Sequence, residues 1–548
     1  MDKQKGIKIL TYFYLIPFSL MILFNIFNSL LRTTYFDLYQ DMETARYRWD
    51  NPLLLLAMGA GLLALIVLIQ GCNWSPKGDI VKFSVGFSGA LCLFVVLLFR
   101  CEVSCDSGLL SDIAIEFLQG NYRAFEQGEY LYRYSFQIGL VALLELIYEI
   151  FGVENFIVFQ LINIICIMII VFMLNKITWE LFEDERICTT EAFLAIGMLP
   201  LFLFATFVYG DIIGWAFGVC SIYFIIRYLR TDRWQNIGKA AVLLSFGIVV
   251  KSNINILVVA AVIAILLQAA KKGNYRMLVW IAGLVLISQA GMVFVEAIYV
   301  NRAGLDEYPR GIPKIAWIAM SMQEGDEGGY ACGWYNAYNW NVYGENGFDR
   351  AKTSQACMEN LGQSLKKFWH EQRYAIDYFY KKFTSQWNAP TFQAMITNEW
   401  NSRHVENLSP LAGFFIYGYG RNFLYDIMNF YHFFMFLCSG VYCRFLLKKW
   451  SLEKAYYVLN IFGGFLFHML WEAQSRYILG YFVLMLPIGA CGLVQLTEGI
   501  SKIPYGKKRA DCWKKKENQK EIRSNENCGC RNRLCRLGGR GMLCRKRL

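Results

Sequence analysis

Residues 137–152 read QIGLVALLELIYEIFG. The run is apolar but short, and Glu145 and Glu149 lie one helical turn apart on the same face. A charge in mid-membrane costs several kcal/mol, so the segment reads as an amphipathic helix lying at the interface. That choice sets the topology. A spanning helix needs ~20 mostly apolar residues. Segments suited to this run over 9–31, 53–70, 81–99, 156–174, 192–208, 212–226, 240–250, 254–270, 277–300, 427–447, 455–470 and 477–496. If 137–152 does not cross, the connections at 71–79, 175–191, 227–239, 271–276 and 443–454 share the side of the N-terminus. They hold Lys77; Lys176 and Arg186; Arg227, Arg230, Arg233 and Lys239; Lys271, Lys272 and Arg276; Arg444, Lys448, Lys449 and Lys454. Lys and Arg gather on the cytoplasmic side of membrane proteins, and a crossing at 137–152 would flip every later loop. The expectation is an all-α integral membrane protein with about twelve transmembrane helices and both ends inside.

Composition agrees. The chain is 56% hydrophobic and 18% charged, where a soluble chain carries about a quarter charged residues. Aromatics at 16% suit belts at the two interfaces. No removable signal peptide is expected, because 9–31 is long enough to span and lacks a small-residue cleavage site. The net charge of +11 sits largely in the tail, including Lys507, Lys508, 514–516 and the Arg/Lys run over 531–547. Beside a last span this reads as a tail held near anionic lipid, with no nucleic-acid partner. Of the 17 Cys, Cys166, Cys220, Cys438 and Cys491 fall in apolar spans, and the tail's Cys528, Cys530, Cys535 and Cys544 lack paired zinc spacing. Cys101 and Cys105 could form a disulfide in an oxidising space, though nothing requires one.

Five regions follow: two N-terminal spans (1–80), a membrane core (81–300) holding an outer loop at 100–155, a non-cytoplasmic segment (301–426), C-terminal spans (427–500) and a basic cytoplasmic tail (501–548). The remaining outer piece, 32–51, reads as a short loop. Segment 301–426 carries Trp317, Trp334, Trp340, Trp369, Trp387 and Trp400. Met358, Leu361, Leu365, Phe368, Ala375 and Phe379 recur there at helical spacing, and Thr353 or Ser354 is placed to cap the start. A small, mainly helical domain on the membrane face is expected.

The outer loop contains EVSCDSGLLSDIAIEFLQGNY over 102–122. An acid a few positions beyond a span sits where lipid head groups meet water, placed to act as a base or to hold a metal. A plainer reading has Asp106 and Asp112 capping a short helix that ends near Gly120. Other polar groups mark outer turns: Tyr209-Gly-Asp211, Lys251-Ser-Asn253 and Trp471-Glu472-Ala-Gln-Ser-Arg476-Tyr477. Lys251 and Arg476 are either snorkelling anchors or partners for an anionic group.

These residues, in order, resemble the bacterial GT-C membrane glycosyltransferases, the superfamily of protein mannosyltransferases and lipid A aminoarabinose transferase (glycosyltransferase family 39 type). The family's outer-loop pattern stands here as Asp106, Ala114, Leu118, Gly120-Asn-Tyr122, Tyr132, Tyr134-Ser-Phe-Gln137-Ile-Gly139 and Ile150-Phe-Gly152. Glu472-Ala-Gln-Ser-Arg476-Tyr477 is similar to its late E-x-x-SRY signature, and the stretch from Phe379 to Asn388 resembles members from Gram-positive bacteria. The likeness covers roughly 81–496. It departs at Ser135-Phe136, where the family often has Pro-His, which puts donor or acceptor choice in question.

The resemblance implies interfacial helices in the first outer loop and a non-cytoplasmic active site in the plasma membrane. It also implies a polyprenyl-phosphate sugar donor, an acceptor hydroxyl and contact with membrane lipids. Asp106 would be the catalytic base. Lys251, Arg476, Tyr134, Gln137, Asp211, Glu472 and Tyr477 would bind substrate. Glu102 and Asp106 are the candidates for a divalent cation, magnesium or manganese. The rivals are a multi-pass transporter or lipid flippase, which would place ionisable groups at mid-membrane near broken helices, and a non-catalytic assembly protein, whose loop acids would tolerate substitution.

Overall fold

The computed structural model describes residues 3–39, 42–71, 79–324, 331–403 and 405–501. Lys77 and the basic, cysteine-bearing tail lie outside the described residues. The chain divides into two compact units, Met1–Gly59 with Pro76–Val494, and Ala60–Ser75 with Gln495–Leu548. The described part of the second comprises the latter part of the helix Pro52–Gly71 and the end of Met485–Ser501. All groups treated below as functional belong to the first.

Among the described residues, seven helices are long and apolar enough to cross a membrane: Gln4–Leu31, Ile80–Phe99, Phe156–Phe182, Asp211–Thr231, Ser252–Lys272, Tyr275–Ala303 and Tyr419–Lys448. The number rises to 10 if three sharply bent pairs each count as one span. Two of those pairs match expected spans. Glu185–Ile196 and Leu199–Thr206 meet at 50°, and Ser475–Val483 and Met485–Ile500 at 52°. Pro200 and Pro487 lie just beyond these breaks, where a residue without an N–H cannot continue the ladder. The expected segments at 53–70 and 240–250 are the shorter apolar helices Pro52–Leu68 and Gln235–Val250. Helix length and composition thus support seven to ten crossings where about twelve were expected.

The third bent pair contains the deciding segment. Ile138–Phe151 is helical, and the Ser135–Phe151 stretch turns 103° from Arg123–Arg133. The two glutamates do not share one environment. Glu149 is exposed, while Glu145 is buried against Arg302, whose Nη2 lies 2.5 Å from Oε1 and Nη1 3.1 Å from Oε2. Tyr299 also donates to Oε2. A partner more than 150 residues away, not the membrane surface, satisfies the charge.

The fold is not wholly helical. Arg32–Tyr39 and Met42–Trp49 form an antiparallel hairpin, β1–β2, where a short loop was expected. Its Thr, Tyr and Phe residues favour the pleated form. Phe36 packs with Trp334, Ala389, Ile396 and Ala473, and the Thr34 N–H donates to Asn388 O at 2.9 Å. The hairpin is therefore built into the core.

Segment 301–426 is largely helical, including Arg350–His370, Gln372–Trp387 and Ala394–Ser402. The cap of the first is Asp349, whose carboxylate accepts from Ala351 and Lys352 N–H. Thr353 and Ser354 instead bond back to the carbonyls of Asp349 and Arg350. The expected apolar stripe divides: Phe368 joins a core with Met322, Cys332 and Tyr378, whereas Met358 and Leu365 are exposed. No disulfide joins Cys101 and Cys105. The Cys101 thiol turns inward to Asn398 Oδ1 at 3.4 Å, while Cys105 is exposed at the start of a helix.

Two glycines control close approach. A Cβ on Gly139 would lie 1.9 Å from Val249 O, and one on Gly210 would lie 2.2 Å from Val250 O. These carbonyls belong to the two residues that precede Lys251. Gly139→Ala should lower the melting temperature of the detergent-solubilised protein, consistent with overpacking at roughly 1–3 kcal/mol. Gly283→Ala, with open space at its Cβ, should not, and equal behaviour of the two variants would contradict the packing.

Candidate active site

A cavity of about 1240 Å³ lies within the first unit. Five stretches bring one group of its ionisable residues together: the hairpin, the start of Cys105–Leu118, the 207–211 loop, the turn at 251–253 and the loop at 471–477.

Asp106 occupies the first turn of Cys105–Leu118, where the helix end favours negative charge. Ser104 is the N-cap, and its N–H reaches Ser107 Oγ at 3.4 Å. Asp106 makes no capping bond, and among the described residues its carboxylate has no hydrogen-bond or ion-pair partner. It is exposed on the cavity wall. The preceding Cys105 has φ 51°, a left-handed conformation costly for a residue with a Cβ. Asp112, the other cap candidate, is exposed within the helix.

Lys251 and Arg476 also line the cavity, in different electrostatic states. Lys251 Nζ lies 3.0 Å from both carboxylate oxygens of Asp211. Burial pulls its pKa down, and Asp211 opposes that pull. Arg476 makes no ion pair among the described residues. Its Nη2 is 3.5 Å from Tyr477 OH, and its Nε is buried without an acceptor. Tyr209 stands between the two cations, its ring 4.6 Å from Lys251 Nζ and 5.5 Å from the Arg476 guanidinium. Its hydroxyl accepts from Gln137 Nε2 at 2.5 Å.

Glu472 is buried and accepts from Tyr477 OH at 3.4 Å. Burial pushes its pKa up to about 7, against the pull of Arg476 and with reinforcement from the charge of Asp106. Tyr134 OH lies 3.3 Å from Tyr335 OH. Of the residues singled out in the sequence, Asp106, Lys251, Arg476, Tyr134, Gln137, Glu472 and Tyr477 line this one cavity. Asp211 stands behind Lys251, and Glu102 is exposed and absent from the lining. Among the described residues, no group of three or more His, Cys, Asp or Glu is arranged to hold a metal ion.

Two participants were missed. Glu43, on β2, lines the cavity. Gln393 joins it to the rest: its Nε2 donates to Glu43 Oε2 at 2.6 Å, and its Oε1 accepts the Arg476 N–H at 3.0 Å. Gln393 is 1% exposed and has φ 64°. Only the β-branched and aromatic residues over 33–38 hinted that this loop was a folded strand. Nothing local marked Gln393. Beneath the site, Lys382 is fully buried, with Nζ donating to Ser321 O at 2.8 Å and burial pulling its pKa down to about 7.

The fold and cavity define a multi-pass membrane protein with acids and cations gathered in one chamber. Residues 138–293 match the model of a family described as dolichyl-phosphate-mannose-protein mannosyltransferase, a GT-C type glycosyltransferase domain. The match points to a membrane glycosyltransferase. It includes Asp211 and Lys251; Glu43, Asp106 and Arg476 lie outside it. No curated protein matches the chain.

Glu472 and Lys382 give opposite pH slopes. Glu472, raised from 4.5 to about 7, binds a proton in the folded chain that the unfolded chain has released, so stability falls between those values as pH rises. Lys382, lowered from 10.5 to about 7, is deprotonated in the folded chain while the unfolded chain stays charged, so stability rises across that window. Melting temperature against pH should lose the acid-side fall in Glu472→Gln and the alkaline-side rise in Lys382→Met. Unchanged slopes would refute both assignments.

Proposed function

We propose that the protein transfers a sugar from a polyprenyl-phosphate donor to an acceptor hydroxyl at the non-cytoplasmic face of the plasma membrane. One observation carries this reading. The chamber's lining includes Ile248, Ile256, Met292 and Phe467, on helices that are candidate spans or pack among them, as well as the charged Asp106 and Arg476. A lipid-linked sugar combines the same two kinds of surface: an isoprenoid that stays in the bilayer, and a phosphate and sugar that project from it.

In this mechanism Asp106 accepts the proton of the acceptor hydroxyl as its oxygen bonds to the anomeric carbon. The bond from that carbon to the phosphate oxygen breaks, and the electron pair leaves on polyprenyl phosphate. Negative charge grows on the phosphate in this step, and a preorganised cation there stabilises the transition state. Arg476 suits the task because, among the described residues, no carboxylate forms an ion pair with its guanidinium. Lys251 contributes less net charge while paired with Asp211, so that pair orients the phosphate. Tyr134, Gln137, Glu472 and Tyr477 line the space for sugar and acceptor.

General-base help is typically 10²–10⁴-fold. Asp106→Asn should lower transfer by about that factor in membranes supplied with radiolabelled polyprenyl-phosphate sugars, with expression and melting temperature retained. Near-full activity would remove Asp106 from the mechanism. Arg476→Gln should cost about 10²–10³-fold in turnover, the usual loss for one transition-state donor; an effect confined to acceptor KM would place the phosphate elsewhere.

A further inference from the structure

A second wall of the same cavity carries charge that the mechanism does not use. Arg133, Arg310, Lys314 and Arg350 all line it. Bonds to backbone carbonyls join the segments that carry three of them. The Ile312 N–H donates to Arg133 O at 2.9 Å, and Arg350 Nη1 donates to Arg310 O at 2.6 Å and to Gly311 O. Gly311 has φ 64°, and a Cβ there would lie 2.8 Å from Arg133 O, so the 310–314 stretch fits closely against 133–135.

The polar partners on this wall leave it short of acceptors. Arg133 bonds only to carbonyls, Nε to Gly128 O at 2.9 Å and Nη1 to Trp340 O at 3.3 Å, with its guanidinium 3.4 Å over the Trp340 ring. Arg350 likewise meets only carbonyls, and Lys314 is exposed with no hydrogen bond or ion pair among the described residues. Three nearby acids are engaged, while Glu296, which also lines the cavity, is half-buried and shows no hydrogen bond or ion pair among the described residues. Glu129 pairs with Arg123 at 3.1 Å, Glu307 with Arg310 at 3.3 Å, and Asp349 caps its own helix. Asn339 adds an independent sign. It is fully buried and lines the cavity; its Oδ1 accepts the Trp340 N–H at 2.8 Å, while its Nδ2 has no acceptor. The buried atom left without a partner on this wall, Asn339 Nδ2, is thus a donor. A buried donor without a partner is costly, and like charges gathered on a cavity wall repel unless an anion lies between them.

We propose that Arg133, Lys314, Arg350 and Asn339 form an anion subsite that binds a phosphate or carboxylate carried by the acceptor. The assignment to an acceptor rests on the transferase reading above. Lys251 and Arg476, on other elements, serve the donor phosphate. Of the two chemistries, the tetrahedral phosphate and the planar carboxylate both match guanidinium forks.

The full chain in detergent, titrated with sodium phosphate and with sodium glucuronate against sodium chloride at equal ionic strength, reads the site through tryptophan fluorescence, since Trp340 lies under Arg133. A saturable response to one of the anions is expected, weakened at least tenfold in Lys314→Gln and Arg350→Gln and kept in the exposed control Lys366→Gln. A response equal to that of chloride, or unchanged in both variants, overturns the subsite. In the transfer assay, the same two variants should lose about tenfold in kcat/KM for a phosphorylated or uronic-acid glycoside and nothing for its neutral counterpart. Equal losses for both acceptors overturn the assignment. If phosphatidylglycerol nanodiscs, but not phosphatidylcholine ones, abolish the fluorescence response to added anion, the site holds a lipid head group and the acceptor assignment falls. Anion binding as expected, with no sugar transferred to any acceptor, removes the transferase reading and leaves the anion site standing.

Discussion

Gln393 is the brace on which the chamber depends. One amide spans two elements that the chain supplies far apart, donating to the Glu43 carboxylate and accepting from the Arg476 backbone. An amide suits this place because it offers a donor and an acceptor at fixed separation without carrying charge. Its left-handed backbone is held by the surrounding core, in the manner of strained residues at functional sites. With that brace, the hairpin closes one side of the cavity and the Arg476 guanidinium is presented without its own helix start drifting.

Charge is distributed unevenly around the chamber. Lys251 is largely offset by Asp211, whereas Arg476 and Asp106 have no ion-pair partner among the described residues. Glu472 is held near the point of ionisation by burial. A ligand carrying a phosphate and a hydroxyl would find a cation and a carboxylate with few competitors. This division follows from low-dielectric surroundings, which strengthen each remaining interaction and penalise each group left without a partner. Tyr209 adds a neutral element between the cations, its ring facing both and its hydroxyl tied to Gln137.

Much of the helical frame was legible in advance, since apolar length and Lys/Arg placement reflect the solvent a segment requires. The segment that ends at Phe151 was recognised as unusual from its two glutamates, but their fates were not. Glu145 is buried because Arg302 and Tyr299 reach it, and nothing in QIGLVALLELIYEIFG records a partner on another helix. The cap at Asp349 was misplaced onto Thr353 and Ser354 because all three residue types cap helices, and the local backbone decides among them. The hairpin was overlooked because a strand pair of two short runs gives a weak periodic signal beside spans of twenty apolar residues.

By itself the sequence determined that the chain needs lipid as its solvent, which segments are helical, and that Asp106, Lys251 and Arg476 stand at the ends of apolar runs. Only the tertiary structure decided which of those charges remain available. Lys251 meets Asp211 across 40 residues and Gln393 meets Glu43 across 350. Hydropathy and helical period are properties of neighbouring residues and can be read locally. Neutralisation of a charge depends on which partner the folded chain brings within about 3 Å, and no local pattern encodes that distance.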